Sequence, residues 1–486
     1  MDFQNIDGII KSCRDIMRKD KGMNTDAQRI PQLLWMLFLK CFDDFELQKE
    51  VLGDHTPLID TPYRWRDWTS DEKGRRGDEL IDFVNNDLFK YLSNLRGEGT
   101  GDQRDVIADV FREQKNFMTD GYGMKDMIQQ INKLDFTSSE QFHLIGSVYE
   151  KMLSSMRDDS PGTFGEFYTP RPVIQFMINV VNPSLKERET ILDPACGTGG
   201  FLIESYKYLV NNVRGTPDND FLQKHCLSGI EPRPEPYLFS MMNMMLHGIE
   251  EPDIARVNTL ETKLSDIKEN LQHNIILTNP PFGGEEQESI KKRFPAGYQT
   301  KDTALGFLLH CMSRLKDGGR CGIILPDGPL SAKGIASKIK EKLLTEFNLH
   351  TIIYLPRTIF EPYTSIGTNI LFFEKSGKTK DIWYYKMEVN ERLRGATRAK
   401  EPKYSKSNPI IYEDFLDVEK WFKNKKIIQN TWKININDLI EYNLKTSNPI
   451  KPNEKPLESP EKIINNMIKN NQDISDLLLK LNKLMD

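Results

Sequence analysis

The sequence predicts a doubly wound α/β domain, preceded by a helical domain and followed by a C-terminal helical tail. Three observations carry this. Up to about residue 155, apolar residues recur at helical spacing. From Phe164 onward, short apolar runs that read as strands alternate with helical stretches, the pattern of a sheet covered on both faces. After a proline- and charge-rich stretch from Pro449 to Pro460, helical spacing returns to the end of the chain.

The helical domain is assigned to residues 1–156. Ile6, Ile9, Ile10, Cys13, Ile16 and Met17 mark a first helix, and Leu33 to Phe42 a second, more buried one. Phe142 to Met156 is a third. Arg157 to Thr163 has linker composition. The α/β domain spans 164–450, with strand candidates near Ile191, Leu227, Ile275, Cys321, Ile352 and Asn369. The last two are expected to pair as an antiparallel hairpin at one edge of the sheet. Residues 392–406 are rich in Lys and Arg and read as a solvated loop.

Bulk properties narrow the function. With 66 Lys and Arg against 71 Asp and Glu, the chain of 486 residues carries a net charge of −5. That is a poor match for a protein that grips nucleic acid alone, because phosphate binding requires a basic face. The six cysteines are scattered without a C-x-x-C pair, which points to a reduced, cytoplasmic protein with neither a disulfide framework nor a metal centre. The N-terminus, Met1-Asp2-Phe3-Gln4, is polar and unlike a secretory leader. No apolar run approaches membrane-spanning length.

Two motifs carry the chemistry. The first follows the strand at Ile191: Asp193-Pro194-Ala195-Cys196-Gly197-Thr198-Gly199-Gly200-Phe201. Glycines let a backbone approach a ligand and adopt positive φ. Leu202 stands where a dinucleotide fingerprint has its last glycine, and Asp193 ends the strand itself. A carboxylate there can accept from an ammonium group. Glu231, at the next strand end, sits where a doubly wound sheet holds ribose hydroxyls. Together these favour S-adenosylmethionine over a nicotinamide dinucleotide.

The second motif is Asn279-Pro280-Pro281-Phe282, after the apolar run Ile275-Ile276-Leu277. Two prolines cannot continue a ladder, so the strand stops in a rigid turn. An exocyclic ring amine is a weak nucleophile because its lone pair is delocalised. The Asn279 side-chain oxygen and the Pro280 carbonyl can accept its two N–H groups and aim the lone pair, while Phe282 stacks on the ring. Positioning of this kind needs neither a strong base nor an activated cysteine.

In these stretches the chain resembles the amino-group DNA methyltransferases, and more narrowly the modification subunit of type I restriction-modification systems. Gly165-Glu166-Phe167-Tyr168-Thr169-Pro170-Arg171-Pro172, Asn258-Thr259-Leu260, Leu325-Pro326-Asp327 and Thr368-Asn369-Ile370 fit the same pattern in the same order. Asn274 departs from it, where an Asp is common. The resemblance implies an S-adenosylmethionine-dependent methyltransferase fold acting on the N6 amine of adenine. It implies that Glu166, Phe167, Tyr168, Thr169, Pro170, Arg171, Thr198, Gly199, Gly200 and Glu231 line the cofactor site, with Asp193 beside them. Asn279, Pro280, Pro281 and Phe282 are then catalytic. The implied partners are double-stranded DNA with its target adenine flipped out, a specificity subunit and a second modification subunit, with a restriction subunit left open. Residues 459–486 would dock on the specificity subunit, because Ile464, Met467, Asn471, Ile474, Leu478, Leu481 and Met485 follow heptad spacing. The competing reading is a self-sufficient amino-group methyltransferase acting on DNA, RNA or protein glutamine.

Overall fold

The structure, a computed structural model, describes residues 3–53, 56–69, 74–97, 103–136, 169–245, 247–249, 251–282, 284–361, 364–393, 402–405, 408–449 and 472. The expected third N-terminal helix, the 157–163 linker and the heptad segment therefore fall outside the described residues, apart from residue 472.

The N-terminal part is helical. Helix α1 (Phe3–Lys19) packs against α4 (Gly121–Ile131), and α2 (Asp26–Leu52) runs through the middle. At the start of α2, the Gln28 side chain accepts from the Thr25 N–H at 3.2 Å, satisfying a donor the helix cannot. Asp20 closes this layer. Its two carboxylate oxygens accept from Gly22 N–H at 2.7 Å, Thr119 Oγ1 at 2.9 Å and Asp120 N–H at 2.9 Å. Helix α3 (Gln103–Phe111) and α2 both pack against α7 (Pro234–Met245) of the α/β part.

Among the described residues the α/β part is built on a nine-stranded sheet in the order β3-β2-β1-β4-β5-β7-β6-β8-β9. Strands β1 (Ile191–Asp193), β2 (Leu227–Ile230), β3 (Asp253–Ala255), β4 (His273–Thr278) and β5 (Leu315–Pro326) are parallel. Alternate residues serve opposite faces: Ile275 and Leu277 join one apolar core, and Ile276 joins the other. The first core is continuous with the N-terminal helices and takes in α5 (Arg171–Val181) and α6 (Gly200–Val210). The second lies under α8 (Thr303–Arg314) and α9 (Ile335–Glu346).

One expectation is corrected. Strands β6 (Asn348–Tyr354) and β7 (Thr368–Glu374) do pair antiparallel, but they are not an edge. β7 inserts between β5 and β6, and the sheet continues through β8 (Asp381–Lys386) and β9 (Thr431–Asn435). The reason is burial. Trp432 of β9 stacks on Tyr384 of β8, with ring centroids 5.1 Å apart and planes 3° from parallel, and an uncovered β6 would expose the apolar surface that this pair seals. Arg392, from the basic stretch, is committed to Asp414 at 2.9 Å. No helix among the described residues is long and apolar enough to cross a membrane.

Candidate active site

The chain leaves β1 for β2 on one side and returns to β4 on the other, so a crevice opens at the carboxyl ends of β1 and β4. A cavity of about 230 Å³ lies there.

Asp193 ends β1 and is almost fully buried. Its Oδ1 accepts from the Ala195 N–H at 3.0 Å. Burial pushes its carboxyl up to about 7, the nearby Glu231 adds to the rise, and the Thr278 hydroxyl and Ala195 N–H act against it. Glu231 follows β2, also buried, and burial raises its carboxyl too. Its Oε2 accepts from Gly197 N–H at 3.1 Å and its Oε1 from Arg233 N–H at 3.0 Å.

Between these carboxylates runs the glycine loop. Gly197 and Gly199 have φ of 53° and 79°, in the left-handed region that favours glycine. A Cβ on Gly200 would meet Arg171 Nη1 and Ile174 Cδ1, each at 3.1 Å. Arg171 Nη1 donates to the Gly200 carbonyl at 2.8 Å, and Asn243 Nδ2 donates to the Thr198 carbonyl at 2.9 Å. The loop is thus braced from α5 and α7.

Asn279 follows β4. Its Nδ2 donates to Thr169 Oγ1 at 2.9 Å, which turns the amide so that Oδ1 is buried with no hydrogen-bond partner among the described residues. A buried acceptor left open costs about 1–3 kcal/mol, and a ligand donor would relieve it. Pro280 is buried behind the tip and Pro281 is exposed. Phe282 is half-buried and meets Phe360 edge-on, with centroids 5.9 Å apart and planes at 84°.

Of the residues singled out in the sequence, Thr169, Arg171, Asp193, Thr198, Gly200, Glu231, Asn279 and Pro281 line the one cavity. Gly199 and Pro170 flank it, as the residues preceding α6 and α5. Pro280 and Phe282 stand outside its lining, and Glu166, Phe167 and Tyr168 lie outside the described residues. The cavity fits a ligand with an ammonium group, hydroxyls and a flat ring. Sequence reasoning missed Glu286, Thr303 and Phe307, which also line it. Only a polar loop and a helix start marked them. Asn274, the departure from the family pattern, accepts from both Thr190 N–H and Thr190 Oγ1 at 3.1 Å, work an Asp would also do.

Comparison with known proteins decides the family. Residues 140–456 match the N-6 DNA Methylase family, and residues 6–131 match the HsdM N-terminal domain. This chain belongs to the N-6 DNA methylases of type I restriction-modification systems. It is 42% identical to the type I restriction enzyme EcoEI methylase subunit of Escherichia coli, over 92% of this chain and 90% of that one. A crystal structure of a modification subunit from Vibrio vulnificus YJ016, attributed to a type I restriction enzyme, superposes with a TM-score of 0.81 at 43% identity, covering 92% of this chain and 97% of that one. A chain from a study of type I complex assembly and conformational transition gives the same TM-score of 0.81 at 35% identity, covering 98% and 97%. The protein is thus a type I modification subunit, an adenine-N6 DNA methyltransferase that works with other subunits. Of the sequence readings, the family, the fold and the reaction agree with these likenesses.

Proposed function

We propose that the cavity holds S-adenosylmethionine and that the Asn279–Phe282 tip receives an adenine flipped out of double-stranded DNA. The supporting observation is the open Asn279 Oδ1, held in place by Thr169 on the wall that also carries Asp193 and Glu231. Asp193 accepts from the cofactor's ammonium, Glu231 from its ribose hydroxyls, and the Thr198–Gly200 backbone gives it close approach. By the family resemblance, Glu166 to Arg171 take part in cofactor binding, and Thr169 and Arg171 line the cavity. When bound, the cofactor supplies a methyl group already activated on a sulfonium. Asn279 Oδ1 and the Pro280 carbonyl accept the two N–H groups of the target amine, drawing its nitrogen toward a tetrahedral shape. Phe282 stacks on the extruded ring. Because orientation carries the rate, no side chain has to act as a strong base.

A specificity subunit supplies recognition of the DNA target, which accords with a chain whose own net charge is −5. Two modification subunits join it, with residues 1–156 clamping DNA, residues 164–450 transferring the methyl group and residues 459–486 docking. A DNA substrate puts this work in the cytoplasm.

The test is methyl transfer to DNA by the full chain with its specificity subunit. Asn279→Ala lowers turnover by about a hundredfold or more and leaves calorimetric S-adenosylmethionine binding within about twofold, because the amide touches the target and not the cofactor. Wild-type turnover by that variant would remove the mechanism. Truncation at residue 458 keeps cofactor binding and abolishes co-purification with the specificity subunit; full co-purification would refute docking through the tail.

A further inference from the structure

We infer that Glu286 selects the cofactor's base, accepting a hydrogen bond from the exocyclic amine of its adenine. This rests on the reading of the cavity as the S-adenosylmethionine site. Among the described residues three carboxylates line that cavity: Asp193, Glu231 and Glu286. Backbone donors already engage the first two. Glu286 is half-buried, and its Oε1 accepts from Thr303 Oγ1 at 2.8 Å. Its other oxygen has no partner among the described residues. The bond to Thr303 fixes the carboxylate and leaves one oxygen for a ligand donor.

The fold locates this oxygen along the cavity. Thr303 opens α8, which packs on the Thr259–Glu261 turn after β3. The approach is close: a Cβ on Gly306 would meet Leu260 Cδ2 at 3.3 Å. In the sheet order, β3 and β6 lie on opposite sides of β4. Glu286 is therefore tied to the β3 side of the cavity, while Phe360 follows β6, on the other side of β4. If Glu231 takes the ribose, the group beyond it is the cofactor's base. Phe307, one turn along α8, lines the same cavity and offers the base an apolar face. Asn258 also lines the cavity, its Oδ1 accepting from Leu260 N–H at 3.0 Å, and an amine has two N–H groups to place. Glu286 offers the amine a charged acceptor with an oxygen still open.

The assignment has a mechanical consequence. Glu286 belongs to the loop that follows the catalytic tip, and that loop is closed at its base by the Glu285–Asp302 bridge and by Glu286 N–H donating to the Lys301 carbonyl at 2.8 Å. A cofactor base held by Glu286 braces the loop that leads out of Asn279–Phe282.

The experiment is calorimetry on the full chain with two ligands: S-adenosylmethionine and its inosine analogue, which carries a carbonyl in place of the amine. Wild type favours the amine-bearing ligand by at least about tenfold, because the analogue sets an oxygen against a carboxylate. Glu286→Ala abolishes that preference by weakening S-adenosylmethionine alone, with analogue affinity unchanged within about twofold, which also shows that the variant is folded. Glu286→Gln, which keeps the shape and one acceptor oxygen, retains part of the preference. A full preference in Glu286→Ala, or equal loss for both ligands, overturns the assignment while leaving the cavity reading intact. Failure of wild type to bind either ligand overturns both.

Discussion

Asp193 carries two opposed demands in one side chain. The ligand-free protein raises its carboxyl to about 7, chiefly by burial, so ionisation there costs stability once the pH exceeds the ordinary carboxylate value of 3.8. A cationic ligand needs the ionised form. Cofactor affinity should therefore rise with pH toward about 7 and level off above it, by up to about tenfold per pH unit on the acid side. Asp193→Asn should bind more weakly at pH 8 and lose this dependence, yet its ligand-free form should melt no lower than wild type, since the costly charge is gone. Calorimetry across pH with paired thermal melts checks both signs. A flat wild-type profile would remove Asp193 from the ammonium contact. Asp193 and Asn279 were legible in the sequence because each ends an apolar run at a turn. Phe282 was legible as an aromatic at the tip, but its contact with Phe360 was not, because no local pattern pairs residues 78 apart in sequence. Glu286 was hidden for a related reason: a Glu in a polar loop looks like any solvated Glu until Thr303 folds against it.

Among elements, the buried acid Asp20 ties separate segments of the helical layer together. Asp20 follows α1, and Thr119 and Asp120 precede α4. Burial by itself would raise the Asp20 carboxyl, but bonds from Asp120 N–H, Gly22 N–H and Thr119 together hold it below 3.8. A depressed carboxyl contributes stability that is present above its unfolded value and is lost as pH falls through the folded one. Asp20→Asn should thus cost about 3 kcal/mol at pH 7, because an amide offers one acceptor oxygen and turns an NH₂ toward donors. In chemical denaturation the gap from wild type should narrow below about pH 4. A constant gap would mean the loss is one of shape, not charge. The strands show where sequence reading succeeds at this scale. β1, β2, β4, β5, β6 and β7 are apolar enough to stand out. β3 is Asp-Ile-Ala with only its middle residue buried, and β8 is bounded by Asp381 and Lys386, so neither is conspicuous until its neighbours are known.

At the scale of the molecule, the helical and α/β parts meet beside the cavity. Arg256 follows β3, two residues before Asn258. Its Nη1 donates to the Asp109 carbonyl at 2.9 Å, and its Nη2 pairs with Glu113 at 2.6 Å. The Arg256 side chain is only 11% exposed, so cutting it back opens a gap and leaves the carbonyl of half-buried Asp109 without this donor. Arg256→Ala should lower stability by about 1–3 kcal/mol and weaken cofactor binding severalfold without touching the ligand, and Arg256→Lys should restore part of both. Thermal melts and calorimetry decide this; an unchanged melting temperature would mean the contact is dispensable. Such pairings join Asp109 to residue 256, and they are invisible to any reading that moves along the chain in short windows.

The nine-stranded sheet has a further property at its two ends. The outermost strands, β3 and β9, contain three and five residues. Pro252 precedes β3, and β9 carries the Lys433–Asp381 pair at 3.3 Å. Short, charged margins of this kind discourage unwanted strand addition, the route by which sheets polymerise. A protein whose role requires meeting further chains thus presents little open backbone on which a foreign strand could grow.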